Sequence, residues 1–146
     1  MKQRIAALFL LLTLLLAACE TTGSSRGASK NCRSSGTSGS CTITIQSIQG
    51  TVSQKIENDS FRSSHDAAQV TVSITGASGP VRVYLNGPND EHTAVEVQPG
   101  STAEMSGLAD ITGTDPRGFN VYFEVMDEAE GASVENIQAE VTYEVP

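Results

Sequence analysis

Tryptophan is absent, lysine occurs three times in 146 residues, and Phe and Tyr together make up 5% of the chain. The missing tryptophan, with no cysteine pair placed to cross two sheets, argues against a true immunoglobulin domain, whose core packs a Trp on an inter-sheet disulfide. Nine Lys and Arg against 17 Asp and Glu argue against nucleic acid, which is held by cations that neutralise its phosphates. No Cys-x-x-Cys or His-Glu-x-x-His spacing occurs, no glycine-rich phosphate loop, and no Gly-x-Ser-x-Gly nucleophile elbow: the one match in spacing, Gly23-Ser24-Ser25-Arg26-Gly27, lies in a Ser/Gly-rich stretch without the apolar strand that an elbow follows. The metal, hydrolase and nucleotide-binding classes that use those spacings have no foothold here. The scarcity of rings also counts against carbohydrate, since several of the seven Phe and Tyr fall on inward-facing positions.

Long apolar runs are missing except at the start. Lys2 and Arg4 give a basic beginning, Ile5–Leu16 is apolar apart from Thr13, and Ala17-Ala18-Cys19 closes the run. A charged start, an apolar centre and a small-residue exit make a secretory signal peptide. The run is too short to span a bilayer comfortably, which takes about 20 apolar residues. Leu16-Ala17-Ala18-Cys19 resembles the lipobox of bacterial lipoprotein precursors at all four positions. That resemblance implies cleavage between Ala18 and Cys19, with Cys19 becoming the lipidated first residue and the membrane a partner through its lipid. The other reading of the same residues is an ordinary secreted protein in which Cys19 merely follows the cleavage site. In lipoproteins the residue after the Cys influences sorting, and Glu20, in place of the Asp that often retains them in the inner membrane, implies the outer membrane where a cell has two.

Removing residues 1–18 leaves 128, enough for one domain with a modest core. Loss of Lys2 and Arg4 takes the formal charge from −8 to about −10. The charge is unevenly spread: from Asn86 to Pro146 there are 13 acidic residues and one basic residue, Arg117. Such a field suits a basic envelope protein as partner, a cation, or solubility alone. With Cys19 assigned to lipid, Cys32 and Cys41 remain as a pair in an exported, oxidising compartment, where a disulfide is expected. Two ligands of a metal site is the competing reading, but the two histidines, His65 and His92, lie in separate segments. Closing that short loop stabilises by about 2–3 kcal/mol in the chain-entropy model.

Residues 19–40 read as a lipidated Cys followed by a Ser/Gly/Thr-rich tether, too poor in apolar surface to offset the entropy of ordering. As a flexible coil it would average roughly 25 Å end to end. From Cys41 apolar residues recur at period two, which predicts half-buried strands. The inward sets are Ile43 and Ile45; Val70, Val72 and Ile74; Val81, Val83 and Leu85; Thr93, Val95 and Val97; Ala103 and Met105; Phe119, Val121, Phe123 and Val125; and Ile137, Ala139, Val141, Tyr143 and Val145. Gly50–Asp66 is less readable and predicts a strand fragment with a long loop or short helix. Val134 is out of phase with Ile137, which predicts a bulge near Glu135-Asn136. Residues 41–146 are therefore expected to form an all-β domain of about seven strands, an antiparallel sandwich of immunoglobulin-like or jelly-roll type.

Ser64-His65-Asp66 contains triad residue types, but triads are assembled from distant segments and neighbours in sequence do not relay protons. No catalytic residue, metal or cofactor is assigned, and the chain is not expected to be an enzyme. Asn86, Asn89, Asp90, Asp110, Asp115, Asp127, Glu128 and Glu130 lie in turns where calcium ligands could converge, although turn chemistry alone explains them. Asn58-Asp59-Ser60 fits a glycosylation acceptor. The leading expectation is a non-enzymatic envelope lipoprotein acting through protein contacts. An inhibitor of a basic wall-degrading enzyme such as lysozyme, and a calcium- or carbohydrate-binding module, are the alternatives.

Overall fold

A computed structural model of the chain describes residues 23–113, 116–127 and 129–146. The signal segment, the cleavage position at Ala18 and the lipidation residue Cys19 lie outside the described residues. Nine strands run in order: β1 (Ser24–Ser35), β2 (Ser38–Gln49), β3 (Thr51–Glu57), β4 (Ala67–Thr75), β5 (Val81–Asn86), β6 (His92–Val97), β7 (Ala103–Asp110), β8 (Gly118–Val125) and β9 (Ser133–Glu144). They form a five-stranded sheet ordered β1-β2-β9-β4-β7 and a four-stranded sheet ordered β3-β8-β5-β6, and every pairing is antiparallel.

Between β2 and β9 the chain changes sheet at every connection except the β5–β6 hairpin. The two orders β2-β9-β4-β7 and β3-β8-β5-β6 are the double Greek key of a jelly roll, which decides between the two sandwich types expected. The alternation in sequence is the cause. Strands β2 to β6, β8 and β9 turn Val, Ile or Phe toward the other sheet, giving burial patterns such as that of Val81–Asn86, in which Val81, Val83 and Leu85 are buried and Arg82, Tyr84 and Asn86 half-buried. Ile43, Ile45, Val70, Val72, Ile137 and Val141 from the larger sheet meet Ile56, Val83, Phe119, Val121 and Phe123 from the smaller in one core. Burying one such side chain contributes about 1.5–3 kcal/mol. The Gly50–Asp66 stretch yields β3 and then a loop, with Ile56 and Phe61 buried. The strand expected around Ala103 and Met105 runs on to Asp110, so Ala109 joins the core and Leu108 is left exposed.

The tether expectation needs correction. Ser24–Ser35 is β1, an edge strand paired along β2, and all twelve of its residues are exposed. Ser35 and Ser38 pair across a two-residue loop with Gly36 at φ +60°, the left-handed first position that a primed hairpin turn requires. The expected disulfide joins Cys32 to Cys41, directly opposite in the ladder. Cys41 is buried while Cys32 is exposed, so the bond ties the outer strand to the core. Lys30 Nζ donates to the Lys55 carbonyl from the same strand. Gly23 sits where any Cβ would collide with the Thr51 carbonyl.

The phase change near Asn136 is present, but not as a one-sided bulge. The β2–β9 register is the same on both sides of the break, with Ile45 opposite Ile137 and Ser47 opposite Glu135. Asn136 takes φ +59° and Gly27, on β1, φ +61°, and Gln46 lies between them in the same row. A bulge on one strand would shift register. Here adjoining strands change face together, so Ile48 and Val134 stay buried and opposite each other.

Asn58, the one buried polar residue among the described residues, ties three segments together. Its Nδ2 donates to the Gly36 carbonyl at 3.0 Å and the Tyr143 hydroxyl at 3.3 Å, and its Oδ1 accepts from the Ser60 N–H at 2.9 Å. The acceptor nitrogen of the Asn58-Asp59-Ser60 sequon is thus committed to the interior. Tyr143 packs edge-on against Phe61 and Phe119, with ring centroids 5.8 and 5.5 Å away. Replacing Asn58 by Leu removes these bonds and leaves the Gly36 carbonyl short of a donor. We expect a loss of about 1–3 kcal/mol in denaturant unfolding, with Gly36-turn amides exchanging faster.

Candidate functional site

The outward residues of the four-stranded sheet fall into three rows running across it, fixed by the β3–β8, β8–β5 and β5–β6 registers. The first is charged: Glu96 on β6, Arg82 on β5 and Glu124 on β8. Arg82 Nη2 lies 3.2 Å from Glu96 Oε1 and Nη1 3.2 Å from Glu124 Oε2. The hydrogen bond it donates to Glu96, together with the charge of Glu124, holds the guanidinium above its ordinary range. The second row is aromatic: Ala94, Tyr84, Tyr122 and Ser53. Tyr84 and Tyr122 stack with centroids 4.7 Å apart and planes at 4°. Partial burial, then the nearby Glu124, pushes the Tyr84 phenol up, with Arg82 opposing. The third row carries His92, Asn86, Asn120 and Lys55. His92 Nδ1 lies 2.9 Å from Asn86 Oδ1, which accepts its proton in the Nδ1–H tautomer. A depression of about 170 Å³ opens beside this row, lined by Asn86, Asn120, Tyr122, Asp110, Gly113 and Gly118.

The rows follow from period two. Arg82, Tyr84 and Asn86 alternate with the buried Val81, Val83 and Leu85, and Asn120, Tyr122 and Glu124 with Phe119, Val121 and Phe123. Sequence reasoning counted seven rings and found them few; it missed that two stand side by side on one outward face. The signal was the opposite phase of Tyr84 and Tyr122 to their apolar neighbours, but only register brings them together.

Other sequence candidates disperse. His65 Nδ1 accepts from the Arg62 N–H at 3.1 Å, and Arg117 Nη1 donates to the carbonyls of Arg62 and His65, each at 3.0 Å. Ser64-His65-Asp66 therefore belongs to a loop clamped by Arg117, the lone basic residue of the acidic half. Of the turn acids, Asn86 and Asp110 meet at the depression, yet Asp110 Oδ1 already accepts from the Thr112 N–H and hydroxyl at 2.7 Å. Asp127 Oδ1 takes the Ala129 N–H at 2.9 Å. Asn89 and Asp90 form a turn with φ +59° at both. Asp115 and Glu128 lie outside the described residues. Among the described residues, no group of three or more His, Cys, Asp and Glu is placed to hold a metal ion. Of the sheet-face acids, Glu96 and Glu124 are paired to Arg82, whereas Glu104, Glu140 and Glu144 stand on the outer face of the five-stranded sheet, the first two on either side of Ser73.

No protein-family model matches the chain, and no curated protein does. Among solved structures it is similar to the cysteine peptidase peruvianin-I from Thevetia peruviana latex, at 7% identity and TM-score 0.34 over 74% of this chain and 50% of that one. Oxalate decarboxylase of Bacillus subtilis gives 12% identity and TM-score 0.35, over 84% of this chain and 26% of that one. The chain thus spans half of the first of these proteins and about a quarter of the second. The family 11 carbohydrate-binding module of a cellulosomal cellulase of Clostridium thermocellum gives 9% identity and TM-score 0.33, covering 89% of this chain and 91% of that one. Likeness at this level carries no information about chemistry.

Proposed function

We propose that the chain is a non-enzymatic binding module, held at the bacterial envelope by a lipid on Cys19, that binds through the outer face of its four-stranded sheet. The observation carrying this is the Tyr84–Tyr122 pair, set outward between a charged row and an amide row on rigid strands. Aromatic area on a surface is retained against the pull of burial, and a ring with a polar tip suits a face that is wet when free and covered when bound. The lipobox supports the location, and Glu20 supports the outer membrane.

A second reading has its own observation. Glu104, Glu140 and Glu144 form no ion pair among the described residues, so the five-stranded face presents unneutralised negative charge to a basic envelope protein or wall-degrading enzyme. Such binding weakens steeply between roughly 50 and 500 mM salt.

One experiment separates them: co-sedimentation of the detergent-solubilised full chain with washed envelope particles. Ala94 and Ser106 are both exposed, one on each sheet. Ala94→Arg places a bulky cation on the aromatic row and should abolish retention, while Ser106→Arg should leave it intact. Loss with Ser106→Arg alone, together with salt sensitivity, would replace the first reading by the second.

A further inference from the structure

We propose that the outer face of the four-stranded sheet is a site for a neutral polysaccharide chain whose pyranose rings stack on Tyr84 and Tyr122; this rests on the reading that the face is the working surface. A pyranose ring has an apolar C–H face and a rim of hydroxyls. It therefore needs an aromatic surface with planar donors and acceptors at its edges, which is the order of the three rows. Tyr84 and Tyr122 cover one face of each other at 4.7 Å. Across the ladder the next side chains are Ala94 beside Tyr84 and Ser53 beside Tyr122, both too short to cover a phenol ring. Two ring faces are thus left for a ligand.

The flanks supply the rim contacts. Arg82 with Glu96 and Glu124 offers fixed donors and acceptors on one side; Asn86, Asn120 and the depression shared with Asp110 offer them on the other. Groups already held by one another keep their geometry when a hydroxyl is added, so little entropy is lost on binding. Successive rows are two residues apart along the strands, so the three cover about 14 Å, and four strands cover about 14 Å the other way. That is an extended, open platform, suited to several units of a chain more than to one small molecule enclosed in a pocket.

Charge and apolar content exclude the competing occupants. Arg82 is matched by two carboxylates and Lys55 by Glu57, 2.9 Å away, so an anionic polymer gains no Lys or Arg of this face that is not already engaged. The buried centre of a protein interface is depleted of charged residues, whereas here Arg82, Glu96 and Glu124 adjoin the Tyr pair. Among the described residues the large hydrophobic side chain left exposed is Leu108, on the other sheet.

The chain has no Trp and three Tyr, of which Tyr143 is buried away from this face, so a ligand-induced change in tyrosine emission reports on the outward pair. The test is titration of the full chain in detergent with cellohexaose, mannohexaose and the hexamer of N-acetylglucosamine, read by tyrosine emission and by calorimetry. At least one should give a saturable change at millimolar concentration or below. Tyr84→Ala and Tyr122→Ala should each weaken it about tenfold or more, equivalent to about 1.4 kcal/mol. Tyr84→Phe should keep most of it, and Ser106→Ala on the opposite face should change nothing. Thermal melts of each variant establish that the fold survives. No saturable change with any of the three sugars, or binding indifferent to both alanine variants, overturns the proposal. If Ala94→Arg still abolishes envelope retention in that case, the glycan alone falls and the working face stands.

Discussion

Phe123→Asp should unfold the protein, while Tyr122→Asp, one residue earlier on the same strand, should leave it folded. Phe123 is wholly buried between the sheets and lies opposite Val52 and Val83 in the ladder. A carboxylate there has no partner, and an uncompensated buried charge costs about 3–5 kcal/mol, beyond the packing lost with the ring. Total stability for a domain of this size is about 5–15 kcal/mol, so the sum removes most or all of it. Tyr122 points outward, and its loss forfeits chiefly the stack on Tyr84, about 0.5–1.5 kcal/mol. Far-UV circular dichroism and thermal melts of the two variants should show a disordered chain and a cooperative β-sheet protein respectively. Two folded variants, or two unfolded ones, would contradict the inward and outward assignment along β8.

Cys19→Ser should move the protein entirely from the membrane to the aqueous fraction. Each buried methylene is worth about 0.8 kcal/mol, and anchoring by two or more acyl chains is stable where a single chain is marginal. Without the sulfur no thioether can form and no diacylglycerol is attached. Detergent phase partition and incorporation of labelled fatty acid should both fall to background. A mature wild-type chain whose amino-terminal Cys19 carries no lipid by mass spectrometry would overturn the anchor.

The core was legible because most inward strand positions are Val, Ile, Leu or Phe and most outward ones polar, so Val70, Val83 and Phe123 announced themselves. Strand β1 was not. Its residues face water on both sides, which removes the alternation that marks a strand, and Ser and Gly then read as linker. What holds it is a ladder, a disulfide and a two-residue turn, and only the disulfide has a sequence signature. The matched phase change of β2 and β9 was half legible: Val134 and Ile137 fall out of step, but that Gln46 breaks step opposite Asn136 needs the register. For the candidate site the rings could be counted but not paired. Tyr84 and Tyr122 are 38 residues apart in sequence, and long-range pairing is what a period-two pattern cannot supply.

Because β1 begins at Ser24, a lipid on Cys19 leaves only Glu20 to Gly23 before the folded domain. Fully extended, such a stretch reaches at most about 3.5 Å per residue, far less than the coil its composition suggested. That gives the molecule an up and a down. With that lipid in place, the pole with Ser24, Gly50 and Ser133 would face the bilayer, since Ser24 pairs with Gln49 and Gln49 with Ser133. On the aromatic face Thr51 pairs with Glu124 and Glu57 with Gly118, so the charged row would lie on the membrane side and the amide row on the far side. The four strands of the smaller sheet would then stand upright, and its face would look sideways along the membrane plane, toward polymers lying parallel to the surface.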